Sequence, residues 1–578
     1  MKKIIAAFLM LSTYFFVSCK SISVSEDRNE NLNQQHNMVA PSLSPSKSGH
    51  FLAARQALFN GDNVAAGVYF DQTLSRGDDN LMLWEQSFLS NYQSGNLKRA
   101  AEIAAELEHL GSELSLSSEP ALSSAVNSGD WEAVIALSDK ISLTDHGYMF
   151  AAGLRSLALV GLGEPETALR EQQRMIDFII NTRIDIPSEI LTLHQAYFAE
   201  ITGNTGEAIS LYKSISPQNK KVTYTLIAAT AGLWRLGAND NAEAILRKYQ
   251  GRELASGWLL HLYKTRQTKL LQQLTLRQLF AQFILEFNWF GSVPSGQSLI
   301  VPRIHLALSI WPELDLGRLI LAQTYFDQSD YERAVDYLDQ ITGTSPYFNQ
   351  AIMLKMEIAR QTGNAKLAFT VAENALAELT DFGTEVMFAH EKALILQHAG
   401  TIARREELYY HAIDYFEQVV ALGRQTNFNY RNLGISYERI GQVELAENAL
   451  QKALQLNPDD SVTLNYIGYW WVDENRRIEE AFELIKKAVH LQPTSGYFAD
   501  SLGWAYFRQD NFDSAVLWLE KAIQLAPTDP VIADHLGDAY WKVGRFLEAR
   551  YKWQQALDMG IEDKYATIIA EKMADGLE

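Results

Sequence analysis

The reactive side chains of this sequence, and the spacings between them, decide what chemistry it could do. His390 and Glu391 could begin a zinc-protease helix, but that site needs a second histidine on the same helix face, and His398 lies eight residues on. The run GLGEPE from Gly161 lacks the third glycine and the preceding strand that would hold a dinucleotide. No glycine-rich loop ends in Lys-Ser or Lys-Thr to cradle a phosphate, and no strand-borne serine elbow is present. The 12 histidines are scattered and give no metal-ligand set. Cys19 is the sole cysteine, which removes disulfides and Cys-rich metal sites. The expectation is a chain that is not an enzyme and carries no cofactor and no metal.

What the sequence repeats is a scaffold. Gly434, Gly468, Gly503 and Gly537 follow one another at intervals of 34, 35 and 34 residues. An aromatic stands three after each glycine (Tyr437, Trp471, Tyr506, Tyr540). Alanines recur further on at Ala446, Ala481, Ala515 and Ala549, and again at Ala453, Ala488, Ala522 and Ala556. Pro458, Pro493 and Pro527 end the first three units, and the second unit holds one extra residue. Small residues let two helices approach, bulky ones fill the space between them, and proline stops the second helix. Each unit is a helical hairpin, and the pattern resembles the tetratricopeptide repeat. One hairpin cannot bury its apolar face alone, so neighbours must stack. The expected fold is all-α, a solenoid of about 13 or 14 hairpins, several of them degenerate.

The weaker rhythm upstream sets the expected boundaries. Residues 51–252 carry Gly/Asn/Asp turns followed by alanine-bearing helices, as in NSGDWEAVIALSDKI and ITGNTGEAISLYKSI, and read as degenerate repeats. Residues 253–312 break the rhythm with an apolar, aromatic stretch and read as an irregular junction between two solenoid halves, with a docking surface as the alternative. Middle repeats follow over 313–420, regular ones over 421–562, and a terminal helix or tail over 563–578. No segment shows the period-two alternation of a strand.

At the N-terminus, Lys2 and Lys3 precede an apolar run from Ile4 to Val17, shorter than the roughly 20 residues of a spanning helix. It reads as a signal peptide over residues 1–18. Ser18 followed by Cys19 resembles the lipobox of bacterial lipoproteins, with Phe16 where that pattern usually has Leu. The resemblance implies cleavage before Cys19 and its lipidation, hence a lipid anchor to a membrane. Lys20, standing where an inner-membrane retention signal would have Asp, leans the expectation to the outer membrane, facing the periplasm. Polar residues 19–50 form a flexible tether.

Fifty Lys and Arg stand against 70 Asp and Glu, a formal charge of −20. Such a surface repels phosphate backbones, so no nucleic acid is expected as a partner. In the tetratricopeptide family the first helix of each hairpin lines the binding groove. The resemblance projects Arg431, Asn465, Tyr469, Asp500, Trp504, Arg508, Asp534, Asp538, Trp541 and Lys542 onto it. Aromatics and acids there would suit a partner segment carrying basic and apolar residues; the alternative is that Trp504 and Trp541 wedge between repeats. The Lys/Asn set with which some family members clamp a terminal carboxylate is absent.

The segments NYIGYWWVDE, DSLGWAYFRQDNFDSAVLWLEKAIQLAP and DHLGDAYWKVGRFLEARYKWQQAL resemble proteobacterial tetratricopeptide lipoproteins. Some of these are outer-membrane adaptors of a periplasmic carboxy-terminal processing protease and its cell-wall hydrolase substrates. The resemblance implies a protein-binding scaffold of the cell envelope. A scaffold for assembly or export of outer-membrane proteins or polysaccharide is the alternative, and an enzyme the remote one. The sequence leaves the oligomeric state open.

Overall fold

The computed structural model describes residues 46–75, 80–141, 145–182, 186–215, 223–249, 256–290, 299–381 and 388–577. Cys19, the expected signal peptide and nearly all of the tether lie outside the described residues. Among those described there are thirty α-helices and no strand, in keeping with the expected all-α repeat solenoid. They divide into two compact units, one up to Glu391 and one from Lys392 onward.

The helices of the second unit are α1 (Ala389–Arg405), α2 (Tyr409–Ala421), α3 (Asn427–Arg439), α4 (Val443–Leu456), α5 (Ser461–Asp473), α6 (Ile478–Leu491), α7 (Gly496–Arg508), α8 (Phe512–Leu525), α9 (Pro530–Lys542), α10 (Phe546–Asp558) and α11 (Asp563–Asp575). Local chemistry sets their ends. The Asp529 carboxylate accepts hydrogen bonds from the Val531 and Ile532 amides at the start of α9, and Pro530 opens the helix where no amide is needed. Gly441 and Gly544 follow α3 and α9 with φ of 77° and 82°, which a Cβ would strain. The repeated small residues sit where helices cross. A Cβ on Gly434 would lie 2.6 Å from Leu450 Cγ, and one on Gly468 would lie 2.8 Å from the Ala481 carbonyl oxygen.

In the first unit, the aromatic stretch expected as a junction has a different place. The helices Leu276–Phe290 and Ile300–Ile310 form a hairpin that packs back onto much earlier ones: Ala121–Ser128, Asp145–Gly161 and Ser188–Ile201. Phe280 stacks on Trp131 with centroids 5.7 Å apart, and Phe283 stacks on Phe150 at 5.8 Å. Arg303 reaches Glu119 through two bonds of 3.0 and 2.6 Å, while the Tyr92 hydroxyl also donates to Glu119. Glu119 is fully buried. His194 Nε2 and Glu286 Oε2 approach to 2.5 Å. One continuous apolar core therefore runs from Leu122 to Ile358 through this hairpin. The described helices within 253–312 thus supply interior packing to the first unit, and the division between the two compact units falls at Glu391. Their aromatic run is core because aromatics at helical spacing carry the largest area to bury.

Candidate protein-binding surface

In the second unit the first helices of successive hairpins pack on one another, α5 against α7 and α7 against α9. These helices and α3 carry the residues projected from the repeat pattern, and the structure shows what most of them touch.

The acidic end of this row of helices is already occupied. Lys572 of α11 lies 2.9 Å from an Asp534 oxygen and 2.8 Å from Asp538. Burial opposes the lysine's charge, but the two carboxylates outweigh it and raise its pKa. Asp538 also accepts from the Trp553 indole at 2.9 Å, and burial with the nearby Asp534 charge pushes its own pKa up. Asp500 pairs with His535 Nδ1 at 2.9 Å. Burial works against the imidazolium, yet Asp500 prevails and raises His535. The sequence pattern could not show Lys572, because α11 stands where the next first helix would be but has Glu571 at the glycine position.

The tryptophans follow the wedge alternative. Trp504 stacks on His535 of the next repeat with centroids 4.2 Å apart and on Phe507 at 4.8 Å. Trp541 packs against Phe546 and Trp553, and lies so close to Gly576 that a Cβ there would be 2.1 Å from its ring. Arg431 is held by Asp460 at 2.5 Å. Tyr469 is raised by burial and by the Asp500 charge. Arg508 and Lys542 lie half-buried at the ends of their helices. Most of the acids and rings of the projected set are therefore engaged within the chain.

What this row of helices leaves unsatisfied lies at its other end and was missed. Arg404 of α1 is half-buried, its Nε has no hydrogen-bond acceptor, and no carboxylate pairs with it among the described residues. Burial lowers its pKa, and the like charges of Arg431 and Arg439 add to that; the Tyr466 and Tyr409 phenols face it. Asn465 Oδ1 and Trp504 Nε1 are likewise buried without partners. Buried polar atoms left unpaired cost stability and mark places where a ligand's own groups could complete the bonding. The sequence pattern, which placed this region among the middle repeats of 313–420, gave no sign of it.

The family model of the tetratricopeptide repeat matches residues 428–460 and 498–529, the α3–α4 and α7–α8 hairpins with their following turns. Two hairpins of the second unit therefore match the tetratricopeptide repeat. A TPR repeat-containing protein of Pseudomonas aeruginosa is 28% identical over 206 residues, covering 36% of this chain and 33% of the relative. The human cell division cycle protein 16 homolog is 27% identical over 133 residues, 21% of each chain. This chain thus spans a third and a fifth of the lengths of those curated relatives. Among solved structures, pilF of Pseudomonas aeruginosa matches at 18% identity and a TM-score of 0.29, over 32% of this chain and 84% of that one. MamA of Desulfovibrio magneticus matches at 17% and 0.26, over 29% of this chain and 94% of that one. Tetratricopeptide repeats in general serve protein–protein contact.

Proposed function

We propose that this chain is a non-enzymatic adaptor of the bacterial envelope, anchored by a lipid on Cys19 at the outer membrane and facing the periplasm. It recruits an envelope protein: a periplasmic carboxy-terminal processing protease together with its cell-wall hydrolase substrates. Holding enzyme and substrate on one scaffold raises their effective concentration and needs no catalytic residue of its own. The reading rests on the resemblance of the C-terminal repeats and of the Cys19 segment. The observation that carries it is Arg404, a half-buried cation without a carboxylate partner on the first-helix face. A partner bringing a carboxylate there would satisfy a charge that the chain itself leaves open.

The test is affinity capture of the tagged full chain from crosslinked native membranes, beside Cys19→Ala and Arg404→Met. The adaptor reading expects the protease with wall hydrolases, lost by roughly tenfold in Arg404→Met through the missing charged hydrogen bond, and loss of the lipid and of cleavage in Cys19→Ala. Recovery of outer-membrane insertion or export machinery would replace it with the assembly reading. Equal capture by Arg404→Met would remove this face from the account.

A further inference from the structure

On the other side of the hairpins, away from the first-helix face, α4, α5 and α6 enclose a cavity of about 570 Å³. Its floor is apolar: Leu450, Ile467, Trp470 and Trp471, none more than 7% exposed. Its rim is acidic, with Glu479, Glu480 and Glu483 from the first turns of α6. The turn between α5 and α6 holds four residues, Glu474 to Arg477, where those of the neighbouring hairpins hold three. Asn475, at φ of 57°, holds the left-handed position that Gly441, Asp510 and Gly544 hold in the neighbouring turns, and Arg477 absorbs the extra residue at φ of 46°, a left-handed backbone that non-glycine residues rarely adopt.

Two observations give this cavity a ligand, its apolar floor and the charge at its opening. The floor is walled by two indoles, Trp470, which donates to Glu474 at 2.9 Å, and Trp471, 7% exposed. Of the glutamates around the opening, Glu447 is held by Arg476 at 3.1 Å and Glu483 by Lys486 at 2.9 Å. Glu479 and Glu480 are exposed and make no ion pair among the described residues. Arg476 and Arg477 lie over the Trp470 and Trp471 rings at 4.8 Å each, so the negative charge left unpaired around the apolar floor is that of Glu479 and Glu480. We infer that this cavity is a second docking site, taking a large apolar side chain that a partner protein presents between lysines or arginines. The apolar side chain supplies the buried area, the flanking cations meet Glu479 and Glu480, and charge of the opposite sign is turned away. The site goes beyond the adaptor reading and does not depend on Arg404. A chain with one site on each side of the hairpins could hold two different proteins at once.

The experiment titrates the full chain with fluorescein-labelled, end-capped peptides and reads anisotropy. The probe is KKLFKK, beside KKAAKK and EELFEE. KKLFKK is expected to bind at least about tenfold more tightly than either control, and roughly fivefold more weakly to Glu479→Gln/Glu480→Gln, with a shallower salt dependence. Leu454→Trp, which fills the cavity from α4, should abolish binding, and Arg404→Met should leave it unchanged. Thermal melts establish that each variant is folded. The exposed glutamate pair tests the site even where the tryptophan variant melts early. Equal binding of KKAAKK would reduce the site to surface charge and overturn the proposal, as would equal binding of EELFEE, no binding of KKLFKK, or loss on Arg404→Met.

Discussion

Arg303→Met tests whether the Leu276–Phe290 and Ile300–Ile310 hairpin is built into the first unit. The wild-type guanidinium makes two bonds to Glu119, which is fully buried and also accepts from Tyr92. Methionine keeps much of the apolar stem, including its packing near the Phe150 ring, over which the guanidinium carbon sits at 4.3 Å. It removes the charge. The Glu119 carboxylate is then left buried with the tyrosine alone, a situation that costs about 3–5 kcal/mol. With a urea m-value of about 3 kcal/mol/M, the first unfolding transition should move down by more than about 1 M. Circular dichroism in urea measures this, with hydrogen exchange assigning the transition to residues 80–360. Glu119→Gln/Arg303→Met should restore a large part of the loss, because the uncompensated charge is gone. If Arg303→Met costs under about 1 kcal/mol, or unfolds the second unit first, the hairpin does not hold the first unit as described.

Three further outcomes follow from the same contacts. Burial, then the charge of Arg333, hold His305 down to about 4; the folded state keeps it neutral while the unfolded chain titrates near 6.5. The stability it contributes is present above pH 6.5 and is lost as pH falls towards 4, by up to about 3 kcal/mol. Urea melts across that window should show the slope, and His305→Gln should flatten it. Gly153→Ala places a Cβ 1.9 Å from Phe283 Cζ, in a ring cluster with Phe150 and His194 that cannot yield. A loss of 1–3 kcal/mol or more, about the cost of overpacking, should appear in melts of the first unit; an unchanged midpoint would mean that the hairpin packs elsewhere. Lys572→Met strips the cation from Asp534 and Asp538 and should cost about 2 kcal/mol. Hydrogen exchange of residues 563–577 should accelerate well before that of α9, and α11 staying protected would argue that its seat is apolar alone.

How much of this the sequence disclosed depends on how local the signal was. The hairpins of α3 to α10 were legible because each crossing demands a small residue at one fixed register, as Gly434 against Leu450 and Gly468 against Ala481 show. The interior role of Phe280 and Phe283 was legible as burial, but their partners were not. Trp131 and Phe150 lie well over a hundred residues away, and no local periodicity encodes such a pairing. At the surface, the register projected Asp534, Asp538, Trp504 and Trp541 as groove residues. It could not tell that a lysine beyond the last repeat neutralises the first two, or that a histidine one repeat on stacks with Trp504. Arg404 was invisible for the opposite reason: its importance lies in a partner that it lacks, and a missing contact leaves no mark in a sequence.

The position of the clasping hairpin also fixes an order of events during synthesis. An ordinary repeat array can consolidate from its first hairpin as it is made, because each unit needs only its neighbour. Here Glu119 waits for Arg303, 184 residues later, and the ring of Phe150 waits for Phe283. At about 5–20 residues per second, the inner aromatic surface of the early helices stands uncovered for on the order of ten seconds. A chain exported unfolded from its N-terminus meets the same delay beyond the membrane, so holding chaperones should be needed there until residues up to 310 have emerged and be dispensable for the repeats that follow.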